Sequence, residues 1–167
     1  TGQTLPDSKG EHGDSPFWNP TERSLYWIDV PGRAVLRTGG EIGGSIGRWP
    51  LPGEPGGIAP ARRGGRVIAL RSGIHRAKEW GGALQMLAPA DYDTATMRFN
   101  DGKCVPLGRF WAGTLNEAKD KPSAALHCLD ARDERAPLVT RIADHATTAN
   151  GLAFSPDGGT LYWADTA

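Results

Sequence analysis

The sequence predicts an all-β protein built from short, repeating strand pairs, and three observations carry that prediction. Glycine and proline are abundant, 23 and 13 of 167 residues, and spread along the chain rather than clustered, which supplies the tight turns that short strands need. Aromatic and β-branched runs recur in pairs separated by turn dipeptides. No stretch holds a helical apolar period over three turns; the one helix-like run, near 91–97, is short.

Taken in order, Ser24-Leu25-Tyr26-Trp27-Ile28-Asp29-Val30 is aromatic and β-branched, and Pro31-Gly32 turns it into 33–37 as a hairpin. Residues 65–71, the turn Ser72-Gly73 and residues 74–77 repeat that arrangement. Residues 109–114 and Ala124–Asp130 give a third pair, and 160–165 opens a fourth. Pro20-x4-Leu25-Tyr26-Trp27-x-Asp29 returns with identical spacing as Pro156-x4-Leu161-Tyr162-Trp163-x-Asp165, each preceded by an aromatic residue, Trp18 or Phe154. The segment from Pro106 to Gly113 is a looser copy. The strands at Tyr26, Val67, Phe110 and Tyr162 lie roughly 40–50 residues apart, the blade spacing of a β-propeller. A single open sandwich with coincidental echoes is the alternative.

Bulk properties narrow the partners. The length fits one domain over 1–167. Lys+Arg equals Asp+Glu at 19 each, which gives no reason to expect nucleic acid or a membrane surface and favours a small molecule of low charge. Cys104 and Cys128 form no CxxC pair and predict free thiols in a reducing, cytoplasmic setting. No run is long enough to span a membrane, and the first residues are polar rather than signal-like. The chain starts without Met and ends on a strand-like run, so a fragment truncated at its C-terminal end is expected.

Three stretches resemble the SMP-30/gluconolactonase/regucalcin family, in its order and at about its spacing. They are Asp14-Ser15-Pro16-Phe17-Trp18 with Leu25-Tyr26-Trp27-Ile28-Asp29; the run Arg98-Phe99-Asn100-Asp101-Gly102-Lys103 continuing to Thr114; and Ala149-Asn150-Gly151-Leu152-Ala153-Phe154-Ser155-Pro156-Asp157. The resemblance implies a six-bladed β-propeller, present here as an incomplete ring of about three and a half blades. It also implies one divalent metal in the central tunnel (Ca, Zn, Mn or Fe) and hydrolysis of a sugar lactone, such as gluconolactone, to the sugar acid.

Opening a lactone requires a water nucleophile and relief of the charge that grows on the carbonyl oxygen, which a hard ion held by few oxygen ligands can supply. Carried over from the family, Asn150 and Asp14 are metal ligands. The third ligand, which is also the general-base Asp, is expected beyond Ala167, and the 167-residue chain alone is expected to be inactive. Asp14 stands where the family has Glu, one methylene longer; Glu11 lacks the following Ser-Pro. Arg98 and Asn100 resemble the substrate-contacting pair, and strand alternation places both on one face while Phe99 packs away.

Several other residues are assigned humbler roles. Asp101, Gly102 and Lys103 are read as a turn, and Glu117 as a solvated loop carboxylate near the family's acidic contact. His12, His75, His127 and His145 lack metal-ligand spacing. The run Gly39–Gly44 matches no phosphate-binding loop, and no Gly-x-Ser-x-Gly elbow is present. Cys104 lacks the partners of a nucleophile. Departure at Asp14 keeps open a second function, a non-catalytic propeller that binds a metal or small ligand.

Overall fold

The computed structural model describes residues 8, 10–39, 44–105, 107–133 and 135–167, in which fourteen strands form four antiparallel sheets. Among the described residues there is no helix, hence none long and apolar enough to cross a membrane. The polar start of the chain (1–7 and 9), the centre of the glycine run (40–43) and Pro106 lie outside the described residues.

The first sheet holds β1 (Gly13–Asn19), β2 (Ser24–Asp29), β3 (Ala34–Thr38) and β4 (Ile46–Pro50). The second holds β5 (Pro55–Pro60), β6 (Arg66–Leu70), β7 (Gly73–Ala77) and β8 (Leu84–Pro89). The third holds β9 (Met97–Cys104), β10 (Arg109–Asn116), β11 (Ala124–Asp130) and β12 (Leu138–Ala146), and the fourth pairs β13 (Ala149–Phe154) with β14 (Leu161–Asp165). Within every sheet the spatial order is the chain order. These meanders are propeller blades, and their first strands β1, β5, β9 and β13 stand side by side.

The three predicted hairpins are present, as β2–β3, β6–β7 and β10–β11. The run 160–165 does not open the fourth sheet, because β13 precedes and pairs with it. Residues 91–97 form turns and then the start of β9. Asp101, Gly102 and Lys103 are not a turn either; they lie inside β9, opposite Gly113, Ala112 and Trp111. Gly102 is required there by packing: a Cβ would stand 2.7 Å from Phe110 Cζ.

Continuous apolar runs have a simple cause. A strand in the middle of a blade is covered on both faces, so alternation gives two cores rather than one core and a wet face. In β6, Ile68 and Leu70 pack with Tyr26, Ile28, Val35 and Trp49 between the first and second sheets. The alternate residues Val67 and Ala69 pack with Phe99, Phe110 and Leu129 between the second and third. A smaller core of Met97, Ala124, Ala146 and Ala149, with Trp163 against it, joins the third and fourth.

The Asp of each repeated Leu-Tyr-Trp-x-Asp motif ties its blade together. Asp29, 2% exposed, accepts the backbone N–H groups of Glu11 (3.2 Å), His12 (3.3 Å) and Gly32 (3.3 Å), and Arg48 Nη1 (3.3 Å). Burial alone would raise its pKa, but these donors outweigh it and hold the carboxyl below the ordinary value. Asp165 does the same for Thr147 and Thr148, both at 2.9 Å, and those bonds lower its pKa. Glu11 and His12 lead into β1 as Thr147 and Thr148 lead into β13.

Replacing Asp29 by Asn should cost about 2 kcal/mol at pH 7, because charge-assisted bonds become neutral ones. The folded pKa is depressed, so the stabilisation is present above the ordinary aspartate value and is lost as pH falls through the folded one. Urea melts of the two proteins should therefore converge below about pH 4. A difference that stays constant from pH 7 to pH 3 would remove the charge from this account.

Candidate functional site

The first strand of every blade is irregular at the same level. Register shifts fall between Asp14 and Phe17 in β1, between Pro55 and Gly57 in β5, between Asn150 and Leu152 in β13, and opposite Gly113/Thr114 at Phe99–Asp101 in β9. A bulge leaves one residue unpaired and re-aims its neighbours. In β5 the residue there is Gly56, whose added Cβ would lie 2.2 Å from the Phe99 carbonyl carbon. The backbones of β5 and β9 thus meet without a side chain between them, while the other three bulges present Asp14, Asn100 with Asp101, and Asn150.

Asp14 and Asn150 are structural equivalents. Asp14 is paired with Ile28 and Asn150 with Ala164, each just past the Trp of its repeat. The following residue is left-handed in both, Ser15 at φ 48° and Gly151 at φ 68°. Both side chains accept the N–H of that residue on Oδ1, at 2.6 Å from Ser15 and 3.1 Å from Gly151. Asn150 also donates to Thr166 Oγ1 at 3.4 Å.

Asp14, Arg98, Asn100 and Asn150, which belong to three different blades, line one cavity of about 390 Å³ together with Glu117 and Lys119. Asn100 is 9% exposed. Its amide nitrogen donates to Ala149 O at 3.0 Å, stitching β9 to β13. Arg98 Nη1 donates to Phe99 O at 2.9 Å and to Asn100 Oδ1 at 3.4 Å. Burial lowers the Arg98 pKa and Glu117 opposes that shift; a guanidinium stays charged at neutral pH regardless.

Glu117 is no free loop carboxylate. Its two oxygens accept from Arg71 Nη1 (3.0 Å) and Nη2 (2.7 Å), and Arg98 Nε lies 3.7 Å away. The Arg71 hydrogen bonds hold its pKa below the ordinary value. The sequence offered no signal for Arg71, since its partners Glu54 and Glu117 lie 17 and 46 positions away. His12, Leu115, Lys119, Thr148 and Thr166 also line the cavity and were not singled out as its residues. His12 and Thr148 could have been found from the repeat, because each stands two places before an equivalent residue, Asp14 or Asn150.

The donors suit a hard divalent ion. Asp14 and Asn150 offer carboxylate and amide oxygens. The Asp101 carboxyl is pushed up by burial and then by the Asp14 charge, with the Gly102 and Gly151 N–H groups opposing, so it stands close enough to feel the Asp14 carboxylate. Among the described residues no three His, Cys, Asp or Glu side chains cluster as a metal site. Elsewhere, His75 and His127 are buried, the latter against Asp91 at 3.0 Å. Cys104 and Cys128 are free, and burial raises both thiol pKa values, which disfavours a thiolate nucleophile.

Comparison with known proteins bears on this geometry. Residues 12–167 match the SMP-30/Gluconolactonase/LRE-like region. The chain is 38% identical to a 6-deoxy-6-sulfogluconolactonase of Pseudomonas putida, over 92% of this chain and 51% of that protein. It is 31% identical to a regucalcin of Gallus gallus, over 92% and 51%. The chain therefore spans about half the length of the relatives it matches. Its fold is that of a calcium-binding regucalcin from Agrobacterium tumefaciens, with TM-score 0.88 and 23% identity, covering 99% of this chain and 54% of that one.

The left-handed site after Asn150 yields a test. A Cβ on Gly151 would meet nothing closer than Ala164 Cβ at 3.8 Å, so any cost of substitution is a backbone cost. Gly151→Val should destabilise by about 2 kcal/mol, and Gly151→Asn by less than about 1, because Asn visits this conformation readily. Urea unfolding measures both; equal losses would show that side-chain volume, not φ, sets the penalty.

Proposed function

The chain belongs to the SMP-30/gluconolactonase/LRE-like family, and on that premise we propose that the whole protein hydrolyses a sugar lactone to the corresponding acid with a divalent ion in this cavity. The observation that carries the reading is the convergence of Asp14, Asn150, Arg98 and Asn100 on one cavity of small-molecule size. When bound, the ion supplies a Lewis acid for the lactone carbonyl oxygen.

In this reading Asp14 and Asn150 hold the ion through oxygens whose direction is set by the left-handed residue after each. Asp14 is one methylene shorter than Glu, and the bulge that follows it presents it to the cavity. Arg98 keeps Nη2 for ring hydroxyls or for the product carboxylate, since Nη1 is committed to Phe99 and Asn100. Asn100 is fixed by its bond to Ala149 O, which orients its second N–H and its carbonyl oxygen. The general base, an Asp, is proposed to lie outside residues 1–167. Two free cysteines fit work in a reducing compartment.

The test uses the whole protein with glucono-1,5-lactone and a 6-deoxy-6-sulfo derivative, the latter prompted by the Pseudomonas putida relative. Thorough chelation should abolish hydrolysis, and a divalent ion should restore it. Asn150→Ala or Asp14→Ala should weaken ion binding by calorimetry at least about tenfold, whereas Glu117→Ala should leave it within about twofold. Hydrolysis that survives chelation defeats the mechanism. Ion binding with no hydrolysis of any lactone favours a non-catalytic binding propeller instead.

A further inference from the structure

We infer that Arg71 is a positioning residue: it fixes the Glu117–Arg98 pair on the cavity wall by clamping three loops of two different blades. The consequence for turnover rests on the lactonase reading above; the clamp itself does not.

Arg71 follows β6 in the second sheet and does not line the cavity. Its Nε donates to Glu54 Oε2 at 3.1 Å, ahead of β5. Its Nη1 donates to Thr94 O at 3.1 Å and Met97 O at 3.3 Å, the turn and first residue of β9. Nη1 and Nη2 together grip Glu117, just past β10. Its backbone is held as well, by Arg71 N–H to Glu54 O at 3.1 Å and by Tyr92 Oη donating to Arg71 O at 3.0 Å.

The direction of the constraint follows from these partners. Met97 precedes Arg98, so fixing Met97 O fixes the point from which the Arg98 side chain leaves the strand. Glu117 N–H donates to Thr96 O at 3.0 Å, so the same turn also anchors the backbone of Glu117. Without Arg71, Glu117 would keep Arg98, at 3.7 Å, as its remaining guanidinium neighbour. The two would be expected to collapse into a closer pair, turning Arg98 away from a ligand. Arg71, facing Glu54 on its other side, satisfies Glu117 and leaves Arg98 with donors to spare. Lysine offers one compact ammonium in place of a planar fork and cannot reach all of these acceptors together.

The experiment compares wild type, Arg71→Met and Arg71→Lys in the whole protein. Glu117 is followed by carboxyl carbon NMR against pH, and glucono-1,5-lactone is the kinetic probe. In Arg71→Met the Glu117 titration should move up toward the ordinary glutamate range, though not all the way, because Arg98 remains its weaker partner. KM should rise about tenfold with kcat within about threefold, because an oriented binding group is lost rather than the reacting centre. Ion affinity should not change. Arg71→Lys should fall between wild type and Arg71→Met in both readouts, and it carries the test if Arg71→Met does not fold. A Glu117 titration that stays put overturns the clamp, as does an unchanged KM in a folded variant. If the wild type hydrolyses no lactone, the lactonase reading fails, and the Glu117 titration alone decides the clamp.

Discussion

The structure depends first on two carboxylates that never reach the cavity. Asp29 and Asp165 each sit at the end of a blade's second strand and take the N–H groups of the two residues leading into that blade's first strand. Backbone N–H groups at a strand's approach have no ladder partner and must be satisfied somehow. Taking them with a side chain that is fixed inside the sheet locks where the first strand begins. Asp14 and Asn150 follow two residues after the second of those N–H groups, so their positions are inherited from that lock. The motif that marks the repeat in the sequence is thus the device that places the site.

A second constraint comes from blade-on-blade packing. Middle strands such as β6 and β11 contribute to two inter-blade cores, so those blade faces are complete only once the neighbouring blade is seated. The cavity is formed by first strands of different blades, so its dimensions follow from inter-blade packing rather than from any one sheet. Gly56 and Gly102 show this directly. A Cβ on Gly56 would meet the Phe99 backbone, and one on Gly102 would meet the Phe110 ring. Gly56 meets β9 at Phe99 and Asn100, and Gly102 lies against Gly57 of β5, so β5 and β9 approach closely where Asn100 enters the cavity wall.

What could be read from the chain alone divides along the same lines. Strands with aromatic or β-branched runs, such as those holding Tyr26, Ile68 and Phe110, announce themselves because burial on both faces removes polar residues. β5 (Pro-Gly-Gly-Ile-Ala-Pro) and the largely exposed β12 do not, since one is shaped by close approach and the other is an outer edge. Of the site, Asp14, Arg98, Asn100 and Asn150 were legible through motifs that repeat or resemble a family. Their partners were not. Arg71 pairs with Glu117 across 46 positions of sequence, and nothing local distinguishes it from the other arginines. Asp101 looks like a turn residue because it precedes Gly-Lys, yet the glycine serves a ring contact and the Asp stays in the strand.

The cavity therefore has two electrostatic poles of different origin. One, at Asp14 and Asn150, gathers oxygen atoms at equivalent bulges of two first strands, with Asp101 near enough that burial and then the Asp14 charge raise its carboxyl. Such a pole is costly unless a cation or proton offsets it. The other, at Arg98 and Glu117 with Arg71 and Glu54 behind them, sets two guanidiniums against two carboxylates and holds its donors in a fixed direction. A lactone presents a polarisable carbonyl at one end and a ring of hydroxyls along the rest. The first pole suits a site where charge must be relieved, the second one where hydroxyls must be oriented without trapping a permanent charge. Asp14, Asn100 and Asn150 stand on first strands, whereas Glu117 and Arg71 stand just past strand ends and are held by their ion pair. In the proposed lactonase reading, poles held in place in this way would present the carbonyl of a small ring substrate in one orientation.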